Sequence, residues 1–489
     1  MKPVKIRAPE VSVRLRKNIG RRAVSGSRSV SERFAGQNRD IDLTKFIGDS
    51  GRVSVRKSVR EPAGSFSITF SDRMAVDQDT VYGLVEPMDV IEIRMTGDKY
   101  KTKQIPIMMR GLVSRIDRHE SMGQDGHPQR FVTISGQDYG KIWQILQIFN
   151  SPYVNPEANL ITQFPFFAQF GQEINTDYAE KFVEDVFKKV VNPFIAKMQS
   201  QAGGGAKNSP LMEITPDMQL SDGKVSPFGF GGWGSGTIYS LLSEHCDLGT
   251  WNELFIEDRE AGPFVVYRPN PFKSVETGKY INPGKTAPSH VSITREDVVS
   301  MTVSRSDEHV ANYFWVDSPR FLLNYGEVAK MMTQYARPGD VFVKTYGNIS
   351  PDLYGARRMF EQTNQCGRGE LHNGNGLKAE AQTIVTGEAI AWINKRRKQM
   401  IEQNKDNVVL ESGSLTLKGN DAVRAGTYLR MAHGGMVSDY YAVSVSHDFV
   451  PMQRYVTSVE VERGMGFVSR VQREGGGQSP YLGELGDGS

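Results

Sequence analysis

The chain has 489 residues, of which 38% are hydrophobic and 10% aromatic, with a formal net charge of +3 and two cysteines. That length exceeds one core and implies roughly two to four domains. Cys246 and Cys366 exclude a disulfide framework and suit assembly in a reducing compartment, a cytoplasm. No run of about 18 apolar residues exists, which excludes a membrane-spanning helix, and the basic N-terminus lacks the apolar stretch and cleavage site of a secretory signal. Glycine, 49 residues against a usual share of about 7%, favours many turns and short strands.

The charge is uneven. Residues 1–60 carry 16 Lys/Arg against 5 Asp/Glu, which leaves a net −8 on the remainder. Residues 1–50 show weak periodicity and many Arg, Ser and Gly, and read as a basic extended arm. A solvated terminus, docking on an acidic surface and contact with nucleic acid all fit such an arm. Ordered structure is expected from Val53 onward. Over 51–150, Val53, Val55 and Val59 share one parity and Phe66, Ile68 and Phe70 another, with Glu61–Gly64 as the turn. Strands at 91–95, 111–116 and 131–135 and a helix from Tyr139 to Phe149 complete a small β-barrel with a packed helix.

Residues 151–237 read as an insertion. Asp177 with Glu180 predicts a capping box, and Tyr178, Phe182, Val186 and Val190 predict a helix that stops at Pro193. Gly203–Gly205 and the run at 229–236 read as Gly-rich loops, without the lysine that a phosphate-binding loop needs. From 238 to 405, strands are expected at 255–256, 264–267 and 298–304, and helices at 319–335 and 377–403. Lys395–Lys398 would face the negative end of the second helix dipole. Residues 406–470 then form a four-stranded meander. Tyr441, Val443, Val445, His447 and Phe449 share one face, and Tyr455, Thr457, Val459 and Val461 another. Gly419-Asn420, Gly434-Gly435 and Pro451 mark its turns. Residues 471–489 read as a tail.

The sequence selects no catalytic, cofactor-binding or metal-binding residue. No two histidines lie three to five positions apart. The adjacent His245 and Cys246, if on a strand, point opposite ways and chelate poorly. His119 and His127 suit a solvated hairpin, and His447 a core or interface position. Ser235 has glycine on both sides, which is not a nucleophile-elbow spacing. Nothing singles out a pair of carboxylates for glycan cleavage.

Several motifs carry a resemblance. The sequence Gly-Ser-Leu-Thr-Leu-Lys-Gly-Asn from 413, Arg424-Ala425-Gly426, the run 440–449, and Tyr455 with Thr457 resemble the closing β-domain of phage-tail baseplate hub proteins and related contractile injection machines. Residues 296–316 and 353–360 are similar to further hub segments. Arg60 with Gly64-Ser65-Phe66, and Gly111-Leu112-Val113 before 134–138, resemble the family's first barrel. The resemblance implies a β-rich α+β fold with two similar small barrels, and a homotrimer that turns threefold into sixfold symmetry. It implies as partners a tail tube protein, a central spike protein and other baseplate proteins, with DNA passing through the channel and no cofactor. The location implied is the virion tail baseplate. A tail-associated cell-wall hydrolase or glycan-binding component is the alternative, and a nucleic-acid-binding protein acting through 1–60 is a third reading.

Overall fold

A computed structural model describes residues 7–18, 40–71, 80–122, 126, 128–149, 177–201, 209–220, 223–225, 235–318, 346–366, 379–433 and 436–474. The expected helix at 319–335, the glycine runs at 203–205 and 229–234, His127, Gly434-Gly435 and residues 475–489 lie outside them. The protein is a β-rich α+β fold organised around one continuous sheet of thirteen strands.

The first half of that sheet contains β1 (Glu10–Arg16), β2 (Asp40–Asp42), β3 (Arg52–Ser58), β4 (Ser65–Ser71), β5 (Val90–Thr96), β6 (Ile107–Met122) and β7 (Pro128–Asp138). They lie in the order β3-β4-β7-β6-β5-β1-β2 around a core of Val13, Leu15, Val53, Ile68, Ile93 and Ile134. The link from β2 to β3 adds Leu43, Phe46 and Ile47 to the buried side chains. Glycine is required where β6 and β7 approach Phe66. A Cβ on Gly136 would stand 2.2 Å from the Leu112 carbonyl oxygen and 2.6 Å from the ring.

Order therefore begins well before Val53, which corrects the expected arm. β1 pairs with β5 over its full length, from Glu10↔Thr96 to Arg16↔Val90. Val11, Val13 and Leu15 point inward while Glu10 and Arg14 point to solvent. Lys17 then donates to Asp89 Oδ2 (2.5 Å) and to the Leu84 carbonyl (2.7 Å), and the Asn18 amide donates to Asp89 Oδ1 (3.0 Å).

The middle of the chain brings β8 (Gln147–Phe149), β9 (Asp177–Tyr178), β10 (Thr215–Met218), β11 (Lys224–Val225), β12 (Ser235–Thr237), β13 (Asn252–Arg259) and β14 (Gly262–Pro269). Strands β10, β14 and β13 form a three-stranded sheet. Its core also takes Trp143, Phe182, Phe187, Val190 and Leu242 from the surrounding helices. The helix expected over 139–149 ends at Ile145, and Gln147–Phe149 instead pairs with Ser235–Thr237. The helix expected to stop at Pro193 continues to Gln201. A π turn over Phe187–Val191 precedes the proline and widens the backbone where its ring would otherwise clash. Tyr178, not Asp177, caps the preceding helix Ala179–Val186, and no side chain makes a cap hydrogen bond there.

The remaining strands are β15 (His290–Thr294), β16 (Val298–Ser304), β17 (Tyr313–Asp317), β18 (Arg358–Gln362), β19 (Gln365–Cys366), β20 (Glu411–Lys418), β21 (Tyr428–His433), β22 (Met436–Val450) and β23 (Arg454–Gly464). The second half of the large sheet runs β15-β21-β22-β23-β20-β16 around Ile293, Leu415, Leu417, Leu429, Val459 and Val461. Laid flat, six strands about 4.8 Å apart would separate their outer members by about 24 Å. Only Arg295–Asp297 join β15 to β16, a link that reaches about 14 Å. The sheet must therefore curl upon itself.

The two halves meet where β22 pairs with β3, from Ser444↔Ser58 to Phe449↔Val53. The four strands expected over 406–470 form, but only β21, β22 and β23 make a meander, because β20 pairs with β23 and β16 and not with β21; Tyr455, Thr457, Val459 and Val461 are all buried. The shared face expected for Tyr441, Val443, Val445, His447 and Phe449 does not hold. Between Ala442↔Val461 and Ser444↔Glu460 the register shifts, leaving Val443 as the extra residue of a β-bulge. Tyr440, Ala442 and Val445 then line the second core, while Tyr441 and Val443 pack on the opposite side with Phe255 and Phe272. That stretch of β22 is buried on both faces.

The parallel pair β17–β18 and the helix Ala379–Asn404 enclose another core with Trp251, Phe314, Ile393 and Met400. The helix runs past Lys398, so the basic run is not its last turn. Arg396 has no exposed surface.

Candidate assembly site where the sheets meet

Strand β3, strand β13 of the three-stranded sheet, the start of β6, the loop before β21 and the middle of β22 converge on a cavity of about 280 Å³. Lys57, Asp258, Arg424 and His447 are among its lining residues. Strand β13 is bonded to β14 along one edge, and cationic side chains cap its other edge. Arg110 donates to the carbonyls of Arg259 (2.6 Å) and Glu260 (3.1 Å), and Lys57 donates to that of Ile256 (3.3 Å). Arg94 donates to Glu260 Oε2 at 3.0 Å, and Glu260 accepts from the Ile107 amide at 2.9 Å. The three-stranded sheet is thus fastened to the first half of the large sheet by charge-assisted hydrogen bonds in addition to apolar packing, since Val90 of β5 and Leu112 of β6 share a core with Leu254, Ile256 and Val265.

Two ion clusters lie deeper. Lys57 Nζ stands 3.0 Å from Asp138 Oδ2 and 2.5 Å from Asp258 Oδ2. Burial opposes its charge, but the two carboxylates outweigh burial and raise its pKa. Burial raises the Asp138 carboxyl, with Lys57 acting against the rise. Elsewhere Arg268 donates to Glu253 Oε2 at 3.0 Å, to the Tyr441 hydroxyl at 3.0 Å and to the Gly426 carbonyl at 2.9 Å, which ties β14 to β22.

The second cluster centres on Arg396. Its guanidinium lies 3.2 Å from Asp247 Oδ2, with both side chains fully buried, and donates to Gln365 Oε1 at 2.9 Å. The Trp392 ring lies 4.4 Å away. Burial raises the Asp247 carboxyl, opposed by Arg396. Lysines in a sequence run suggest a solvated face; this arginine instead holds the long helix to β19 and to the residue after Cys246.

His447 sits between the two main cores. Its Nε2 lies 3.1 Å from the Val423 carbonyl, and its Nδ1 3.1 Å from both the Tyr455 hydroxyl and Thr457 Oγ1. Burial, helped by Arg424, pushes its pKa down to about 3. It is a core histidine with its ring nitrogens satisfied. His245 and Cys246 lie at the end of the helix Ile238–His245, not on a strand, and His245 Nδ1 lies 2.9 Å from the Leu241 carbonyl. His119 faces solvent on β6. Among the described residues no group of three or more His, Cys, Asp or Glu could hold a metal ion. Also among them, no helix is long and apolar enough to cross a membrane.

Three outer strands of the large sheet keep one edge unbonded among the described residues. These are β2, bonded only to β1, β15, bonded only to β21, and β16, bonded only to β20. Val299 on β16 is 60% exposed, and Met122 at the tip of β6 is 72% exposed.

This architecture has counterparts among solved structures. The chain is similar to phage tail proteins. The tail protein from Neisseria meningitidis MC58 aligns at a TM-score of 0.47 and 10% identity, over 93% of this chain and 96% of that one. The 43 kDa tail protein of prophage MuSo2 from Shewanella oneidensis aligns at 0.45 and 10% identity, with the same coverages. The E. coli c3393 protein, a type VI secretion component with structural similarity to T4 tail proteins gp27 and gp5, aligns at 0.39 and 7% identity, over 84% of this chain and 73% of that one. No family model and no curated protein matches the sequence.

Proposed function

We propose that the chain is a non-enzymatic structural subunit of a phage-tail baseplate hub. The observation that carries this reading is the doubled sheet. Seven strands surround one core, six surround another, and β22 hydrogen-bonds to both sets. A subunit with two such modules lets three copies present six of them. That arrangement seats a six-fold tail tube protein on one face and a three-fold central spike protein on the other. Several hub motifs in the sequence fall on these same strands: Gly413–Asn420 on β20 and its turn, 440–449 on β22, and 134–138 on β7, while 353–360 falls outside the large sheet, on a short helix and β18. The ring's central opening is the path for DNA on ejection, and its place is the virion tail. The unbonded edges of β2 and β16 and the exposed Val299 and Met122 are surfaces available to neighbouring copies or other baseplate proteins.

The test is the mass of the assembled protein. Native mass spectrometry of the purified chain, alone and with its tube and spike proteins, is expected to show three copies. A stable monomer that binds neither partner refutes the hub.

A further inference from the structure

Lys57 occupies an unexpected register. On β3 it has the parity of Val53 and Val55, which point into the first core. Its side chain is 15% exposed, and it meets Asp258 and Asp138, which are 0% and 1% exposed. The three groups come from three separate elements: β3, the end of β7, and β13. Two carboxylates share one ammonium in a buried place, with the Arg424 guanidinium acting on Asp258 from the same cavity without an ion-pair contact, which is a costly arrangement. Asp138 is firmly held, since its Oδ1 accepts from the Gly140 amide at 2.9 Å. Asp258 is not, since its Oδ1 is buried without a hydrogen-bond partner.

We propose that Lys57 and Asp258 condense into an intramolecular amide that bolts the three-stranded sheet to the first half of the large sheet. Asp138 carries one proton from Lys57 Nζ to the Asp258 oxygen facing it, which leaves a neutral amine beside a neutral carboxylic acid. The freed electron pair of Nζ attacks Asp258 Cγ and the new C–N bond forms. Asp138 relays a second proton from nitrogen to the same oxygen, and the bond from Cγ to that oxygen then breaks with loss of water. One ammonium and one carboxylate become one amide and one water, with no oxidant, metal or further reactant. The Asp138 carboxylate ends as it began.

Four features favour the step. The nucleophile and carboxylate are held in contact, which removes the encounter cost of the same reaction between free groups. The buried surroundings disfavour the ion pair relative to a neutral amide, the reverse of the preference in water. The adjoining cavity, lined by both Lys57 and Asp258, receives the departing water. Burial raises the Asp138 carboxyl, which suits a group that must carry a proton between the other two.

The bond lies within one chain, so its test is independent of how many copies assemble. The intact mass of the purified full-length protein is expected to fall about 18 Da, one water, below the sequence mass. Proteolytic digestion should then yield the segments containing Lys57 and Asp258 as one branched peptide. Lys57→Arg keeps the charge and should restore the full mass. Asp258→Asn should expel ammonia instead of water and arrive at the same final mass as the wild type. Asp138→Ala should lose or slow the linkage; undiminished linkage in that variant overturns the relay. A wild-type protein of full sequence mass, yielding an unbranched Lys57 peptide, overturns the proposal whatever the variants do.

Discussion

Acidification from pH 7 to pH 5 should destabilise the junction of the two sheet halves through His447. In the unfolded chain this imidazole titrates near 6.5, and in the fold its pKa is pushed down to about 3 by burial and Arg424. Above pH 6.5 both states are neutral and the contribution to stability is complete. Below 6.5 the unfolded chain takes up a proton that the folded chain refuses, so stability is lost progressively down to about pH 3. At pH 5 the loss is about 2 kcal/mol, at about 1.36 kcal/mol per pH unit. The partners explain why the fold does not adapt. The ring is enclosed by the Val423 carbonyl, Tyr455 and Thr457, with no carboxylate among its hydrogen-bond partners. The assay is urea unfolding at both pH values for the wild type and His447→Gln. Carboxyls raised by burial, such as Asp138, Asp247 and Glu253, act with the opposite sign. They are common to both proteins, so the difference between the two pH responses isolates His447. If wild type and variant lose the same stability between pH 7 and 5, the argument is wrong.

Asp247→Ala strands the fully buried Arg396 and should cost about 3–5 kcal/mol in urea unfolding. Replacing both, as Asp247→Leu with Arg396→Met, should recover most of that loss. Leu15→Ala should cost about 2–5 kcal/mol, because β1 belongs to the core. Arg14→Ala, one residue away on the solvent face, should stay within about 0.5 kcal/mol; equal effects would return residues 7–18 to the status of a loose arm. Gly136→Ala should lower the melting temperature by an amount equivalent to about 1–3 kcal/mol, since its new Cβ overlaps the Leu112 carbonyl.

The strands that one-sided alternation announces were readable from residues alone. Tyr455, Thr457, Val459 and Val461 are inward as their spacing predicts, and β3 and β4 flank the expected turn. Strand β1 was missed for a local reason. Arg14 and Arg16 interrupt Val11, Val13 and Leu15, and a charge-rich segment conceals a strand whose outward face happens to be basic. The bulge at Val443 left no mark, because Tyr, Ala, Val and Ser fit either face equally well. The ion clusters were illegible for a different reason. Arg396 resembles any helix-surface cation until Asp247, far away in sequence, is brought against it. Lys57 gave one usable hint: it stands where the parity of Val53 and Val55 calls for an apolar side chain.

The single extra residue in β22 has a reach beyond its own neighbourhood. Val443 switches the inward-facing positions of β22 from even to odd residue numbers just before the strand leaves one module and joins the next. Absorbing that residue into a regular ladder, with Val443 opposite Glu460, would turn Val445, His447 and Phe449 outward while Tyr440 and Ala442 stayed in place. A chain that carries two such modules on a shared strand therefore needs an irregularity there, much as a twisted belt needs its half-turn to run true over both pulleys.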